Sequence, residues 1–286
     1  MKKILFLLAA GCCAAQVLHA QKAALSSAAI ALPPGKPDKA PKKHAWYFSW
    51  GYNTESYTRS DVHIRQPELG NDYTMVAVHG NDHRGWDDRF LHQQLTIPQY
   101  NYRLGYMLDD ARGIGVELNF DHTKYIISDD QSIHIRGKFG DSNGDTTVRF
   151  SKANGSYYYL NNGANFFLFN IVKRWKLYHT KNEALRLDGL GKFGVGPVVP
   201  HVANSLFGNG NHEDFQLGGW NTGLEGDLKV SYRKYIYLEY GMKLDYARYS
   251  NLTVYKGTAR QAFGTYEMIL SLGVNYPTGR RRGGKH

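Results

Sequence analysis

Asp121, His122 and His201 are the side chains whose types could carry metal chemistry, because two imidazoles and a carboxylate with open positions can hold a non-haem iron or a similar divalent ion. Asn162 and Asn165 lie in the segment between them and add polar groups to the same neighbourhood. Asp121 and His122 are consecutive, so strict strand alternation points them to opposite faces unless a bulge intervenes. Other chemistry is thinner. Ser128, Ser132 and Ser205 could pair with His122, His134 or His201 for hydrolysis of an acyl chain, but no spacing singles one out. Asp141 to Asp145 starts like a calcium loop, yet its sixth position is Thr146 and its twelfth Lys152, which reads as a polar hairpin turn.

Whether those residues meet depends on the elements that carry them. Between His44 and Pro277 the dominant period is two. Trp46, Phe48, Trp50 and Tyr52 alternate with smaller or more polar residues. Ile114, Val116, Leu118 and Phe120 alternate with Gly115, Glu117, Asn119 and Asp121. Ile236 to Tyr246 and Tyr266 to Tyr276 repeat the pattern. Eight strands are expected, near 45–54, 96–108, 113–125, 158–174, 183–199, 216–232, 235–248 and 263–276. Each is long enough to cross a hydrocarbon core at a tilt, which takes roughly 9–11 residues.

Tight turns at 109–112, 175–182 and 233–234 alternate with longer connections at 55–95, 126–157, 200–215 and 249–262. Tyr and Trp cluster at strand ends, at Trp46, Tyr106, Trp175, Tyr232, Tyr235 and Tyr276. Together these features predict an all-β fold: an eight-stranded antiparallel transmembrane β-barrel over 45–276, with long extracellular loops and short periplasmic turns. The expected location is the cell outer membrane, reached as a monomer through the barrel assembly machinery.

The ends of the chain explain the charge. Residues 1–20 read as a signal peptide whose removal takes Cys12 and Cys13, and 21–44 as a disordered periplasmic linker rich in Pro, Lys and Ala. These segments and the basic tail 277–286 hold the whole formal charge of +10, leaving 45–276 neutral. A nucleic-acid partner is therefore not expected, since a binding surface should be basic on the folded domain itself. With mean hydropathy −0.49 and no second long apolar run, a helical membrane protein is excluded as well.

An eight-stranded barrel is just wide enough for side chains to fill it, so inward charges must pair. Arg103, Glu117, Glu225, Glu239, Lys243 and Glu267 are expected to form lumen ion pairs rather than a pore. On the extracellular rim, strand order brings Asp121, His122, Asn162, Asn165 and His201 toward one another.

Three segments, 113–124, 162–175 and 194–202, resemble in order and spacing those of the lipid A oxidase-like outer-membrane barrels, with Asn162 standing where those relatives carry a His. The resemblance implies binding of lipid A at the rim, with Asn162 and Asn165 as lipid contacts. It further implies metal- and oxygen-dependent oxidation of the proximal glucosamine to an aminogluconate, with Asp121, His122 and His201 as the catalytic and metal-binding set. The competing expectation is a non-catalytic structural or adhesive barrel acting through its surface loops. Outer-membrane lipopolysaccharide is the expected partner in the first case.

Overall fold

The computed structural model describes residues 44–82, 99–160, 163–233 and 235–278. The expected signal peptide 1–20, the linker up to residue 43, Asn162 and the tail from 279 lie outside the described residues. Eight strands form the wall, called here barrel strands one to eight: Ala45–Tyr57, Tyr100–Asp109, Ile114–His122, Phe166–His179, Leu185–Val198, Gly219–Tyr232, Ile236–Val254 and Gly257–Pro277. Each pairs antiparallel with the next, and strand one pairs with strand eight from Ala45↔Pro277 to Tyr57↔Thr265. The sheet is therefore a closed ring.

The alternation in the sequence becomes the two faces of this wall. Along strand seven, Ile236, Leu238, Tyr240, Met242, Leu244 and Tyr246 are exposed, while Tyr237, Glu239, Lys243 and Asp245 are buried. Strand eight repeats this, with Leu272, Leu270, Met268 and Tyr266 outside and Ser271, Glu267 and Thr265 inside. A continuous apolar exterior of this size cannot be left in water. It is the lipid-facing band of a barrel that crosses a membrane with every wall hydrogen bond closed on itself, the architecture of outer-membrane proteins. The protein resides in the outer membrane.

At one end of the ring the connections are short, and both ends of the wall, Ala45 and Pro277, meet there. Asp109 caps the first turn by accepting from the Arg112 amide at 3.0 Å, and Gly113 supplies the left-handed φ of 67° that turn requires. Here Tyr47, Tyr237 and Met107 pack together inside the wall. Gly105 and Gly273 make room for them: a Cβ on either would lie 1.9 or 2.2 Å from a ring carbon of Tyr47 or Tyr237.

The opposite end departs from the loops expected there. The connection 55–95 contains strands Ser60–Gln66, Asn71–Val78 and Gly80–Asp82, and 126–157 contains Gln131–Phe139 and Ser142–Phe150. The expected strands 113–125 and 158–174 are each split. Tyr125–Ile127 and Tyr157–Leu160 leave the wall and join Gly80–Asp82 and His201–Leu206 in a second sheet. Nor is 249–262 a loop. Strands seven and eight continue as a hairpin turning at Tyr255 and Lys256, with Thr258–Gln261 paired to Val62–Arg65.

The wall thus extends from strand eight through Ser60–Gln66, Asn71–Val78, Gln131–Phe139 and Ser142–Phe150. This extension and the second sheet share one apolar core. Val62, Ile64, Tyr73, Met75, Ile133 and Ile135 come from the first sheet, and Tyr125, Ile127, Tyr158, Leu160, Val202 and Leu206 from the second. The molecule is a barrel bearing a folded two-sheet cap. The Asp141 motif forms the turn of the hairpin Phe139↔Ser142 within it.

Candidate functional site

The lumen and the rim above it hold most of the buried charge. In the lumen, Lys192 lies 2.9 Å from Glu225 and from Glu239, 3.3 Å from Asp227 and 3.4 Å from Glu117. Lys243 lies 2.6 Å from Asp121, 3.2 Å from Glu267 and 3.3 Å from Asp245. Arg103 bridges the two groups, at 2.5 Å from Asp121, 3.4 Å from Glu225 and 3.7 Å from Glu117. Register explains the layout. Glu267 stands opposite Lys243, Lys243 opposite Glu225 and Glu225 opposite Lys192, so signs alternate around the wall. Toward the short-turn end, the Lys229 ammonium sits 3.4 Å from the Tyr237 ring centroid and 4.6 Å from that of Tyr47.

Lys192 was not singled out from the sequence. Its signal was the parity of Phe193 and Val195, which face outward and so send Asp188, Leu190 and Lys192 in.

An aromatic layer separates these charges from the cap. Tyr125 stacks on Phe263 with centroids 4.6 Å apart, Tyr57 and Tyr249 pack against the same ring, and the Tyr249 hydroxyl donates to the Ala164 carbonyl at 3.1 Å. Beside it, Gln99 Nε2 donates to both Glu55 and Asp82. Asp82 Oδ2 also accepts the Glu55 amide at 2.9 Å, tying the first cap connection to the wall. Along the barrel, the Tyr47–Tyr237 cluster, the paired lumen charges and the aromatic layer thus follow one another.

The rim residues divide between two faces. Asp121 points into the lumen, where Arg103 and Lys243 hold it. His122 follows it on the outward side, where it is only 9% exposed because Tyr100 stacks on it at 4.6 Å. Asn165, in left-handed backbone at φ 37°, reaches His122: its Oδ1 lies 2.9 Å from Nδ1, while its Nδ2 donates to the Val199 carbonyl at 2.9 Å. That second bond fixes the amide, so Nδ1 of a neutral His122 carries the proton and Nε2 keeps its lone pair.

His201 lies farther along the same rim. Its amide donates to the Gly163 carbonyl at 2.8 Å and its ring packs on Phe215 at 4.8 Å. The structure therefore joins His122 to Asn165 but does not assemble Asp121, His122 and His201. Among the described residues, the acidic or imidazole groups that approach one another closely enough to share an ion are Glu225, Asp227 and Glu239, and Lys192 already occupies their centre. Among the described residues, Asp121, His122 and His201 therefore form no shared ligand set for a metal.

No family model matches the chain, and no curated protein matches it in sequence. Solved structures similar to it include OprG of Pseudomonas aeruginosa, at 10% identity and TM-score 0.38 over 82% of this chain and 97% of that one. Neisserial surface protein A is similar at 8% identity and TM-score 0.29, over 82% and 96%. Ail of Yersinia pestis is similar at 12% identity and TM-score 0.29, over 82% and 99%.

Proposed function

We propose that this protein is a sealed outer-membrane barrel that works as a surface contact protein through its cap, neither conducting through the lumen nor catalysing within it. The carrying observation is the contrast between a lumen filled with paired charge and a cap with its own two-sheet apolar core. A channel needs an open lumen, whereas a plain anchor has no use for a second folded body. The barrel serves as the mount, inserted as a monomer by the barrel assembly machinery, and the cap as the working surface.

Two measurements test this. Planar-bilayer recordings of the purified protein should show no steady unitary conductance, and stepwise openings would overturn the sealed reading. Replacing 60–78 and 129–156 by short turns should leave the barrel inserted but abolish any envelope phenotype of the gene. Retention of that phenotype would overturn the role of the cap.

A second reading is lipid A contact at the rim by His122, Asn165, Asn162 and His201. It draws support from the His122–Asn165 pair, which presents an oriented imidazole on the outward side of the wall. Oxidative modification would need Asp121 on that side too. On this reading, native mass spectrometry of the detergent-extracted protein should find a lipid A adduct that His122→Ala with Asn165→Ala removes. An adduct unchanged in that variant sinks it.

A further inference from the structure

Outward-facing residues of strands seven and eight change character at a sharp level. On strand seven the lipid-facing series Met242, Leu244, Tyr246 is followed by Arg248, and on strand eight Met268, Tyr266 and Gly264 are followed by Ala262 and Arg260. Trp220, exposed on strand six, stands opposite Arg248. Aromatic rings of this kind mark the headgroup level of a bilayer, so these arginines are the first charges above the hydrocarbon on this side of the barrel.

They form a row. Arg248 is opposite Ala262, which makes Arg260 its diagonal neighbour, about 7–8 Å away between backbones. Arg260 is opposite His63 on the adjoining cap strand, and Arg65 is its next diagonal neighbour. Three guanidinium groups thus step across three adjacent strands on one exposed face.

Two carboxylates border the row, Asp61 and Asp72, the second opposite Arg65 in the sheet. Asp72 Oδ1 lies 3.3 Å from His63 Nε2, and Asp61 Oδ1 accepts the Ala77 amide at 2.7 Å. Among the described residues, none of the three arginines has a carboxylate within 4 Å. Arg149 on the same sheet shows what a neutralised arginine looks like here, held by both oxygens of Asp130 at 2.6 Å. Like charges on neighbouring diagonals repel one another, and an anion between them relieves that repulsion. The guanidinium fork is the side chain best shaped to take phosphate oxygens in pairs.

We propose that Arg248, Arg260 and Arg65, at the junction of wall and cap, bind the phosphate groups of phosphorylated glycolipid headgroups in the outer leaflet. The proposal rests on the reading of the cap as the working surface and supplies its partner chemistry. The leaflet is the source because the row begins at Arg248, the next outward position above Tyr246 on a strand that spans the membrane.

The test measures binding of bisphosphorylated lipid A, and of the same lipid with its phosphates removed, to the full chain in maltoside micelles. Wild type should favour the phosphorylated form at least tenfold and lose that preference as salt rises. The triple variant Arg65→Gln, Arg248→Gln, Arg260→Gln should lose the preference, Arg260→Gln alone should lose part of it, and Arg149→Gln should keep it. Equal binding of the two lipids to wild type, or an unchanged preference in the triple variant with native β-sheet circular dichroism, would overturn the proposal. So would stronger binding to a soluble sulfated polysaccharide, which would move the source off the leaflet. Loss confined to His122→Ala with Asn165→Ala would assign the headgroup to the rim instead. A failed cap deletion with the arginine effect intact would remove the broader reading alone.

Discussion

Barrel strand seven passes through two environments, and its faces exchange character between them. From Ile236 to Tyr246 the outward residues are apolar and the inward ones include Glu239, Lys243 and Asp245. From Ala247 to Val254 the exposed residues are Arg248, Asn251 and Thr253, while Ala247, Tyr249, Leu252 and Val254 turn inward. Strand eight does the same between Glu267 and Ala259. One rule covers both halves: the outward face matches its surroundings, hydrocarbon below and water above, and the interior takes what remains. In the lumen this is charge that must be paired, and in the cap it is apolar surface.

The largest effect is expected in the lumen. Lys243→Met leaves Asp121, Asp245 and Glu267 facing one another, and should lower stability by about 3–5 kcal/mol. The check is the urea midpoint of tryptophan fluorescence in micelles. In the cap, Ile135→Ala should cost about 2–5 kcal/mol by opening a cavity. Hydrogen exchange should then rise across 62–64, 73–75 and 133–135 while the wall strands stay protected. If both variants melt the whole chain alike, the two regions are one cooperative unit.

The outward face gives a finer measure. Met242→Arg, in the belt, should cost about 2–4 kcal/mol, and Tyr246→Arg, next to Arg248, no more than about 1 kcal/mol. Equal costs would move the boundary drawn between Tyr246 and Arg248. The smallest effect concerns His63, whose ring is held below the usual histidine value by partial burial first and then by Arg260. With the folded value depressed, any stability linked to this ring is present above its unfolded value, near 6.5, and is lost as pH falls through the folded one. NMR titration should place the ring below 6.5, and Arg260→Gln should move it up.

The wall was legible because period two holds over long runs. Its eight strands and its closure follow from residues such as Ile236–Tyr246 once the apolar side is assigned to lipid. The cap was less legible for the reason the comparison supplies. Beyond Tyr246 the sense of the alternation reverses, and the register shifts between Tyr249 and Leu252, with Asn251 at φ 56°, so the continuation reads as a break. Val62/Ile64, Tyr73/Met75 and Ile133/Ile135 carried a signal, but in runs too short to distinguish strands from loops. At the rim, the opposed faces of Asp121 and His122 follow from adjacency alone. The His122–Asn165 contact does not, because it depends on a left-handed backbone at a residue other than glycine.

Ser60–Gln66 has two neighbours in its sheet: Asn71–Val78, its own hairpin partner, and the Thr258–Gln261 stretch made nearly two hundred residues later. Barrel strand eight is thus shared property: its lower half shuts the ring against strand one and its upper end holds the first cap sheet, so a lesion that unzips this single strand disables both bodies at once.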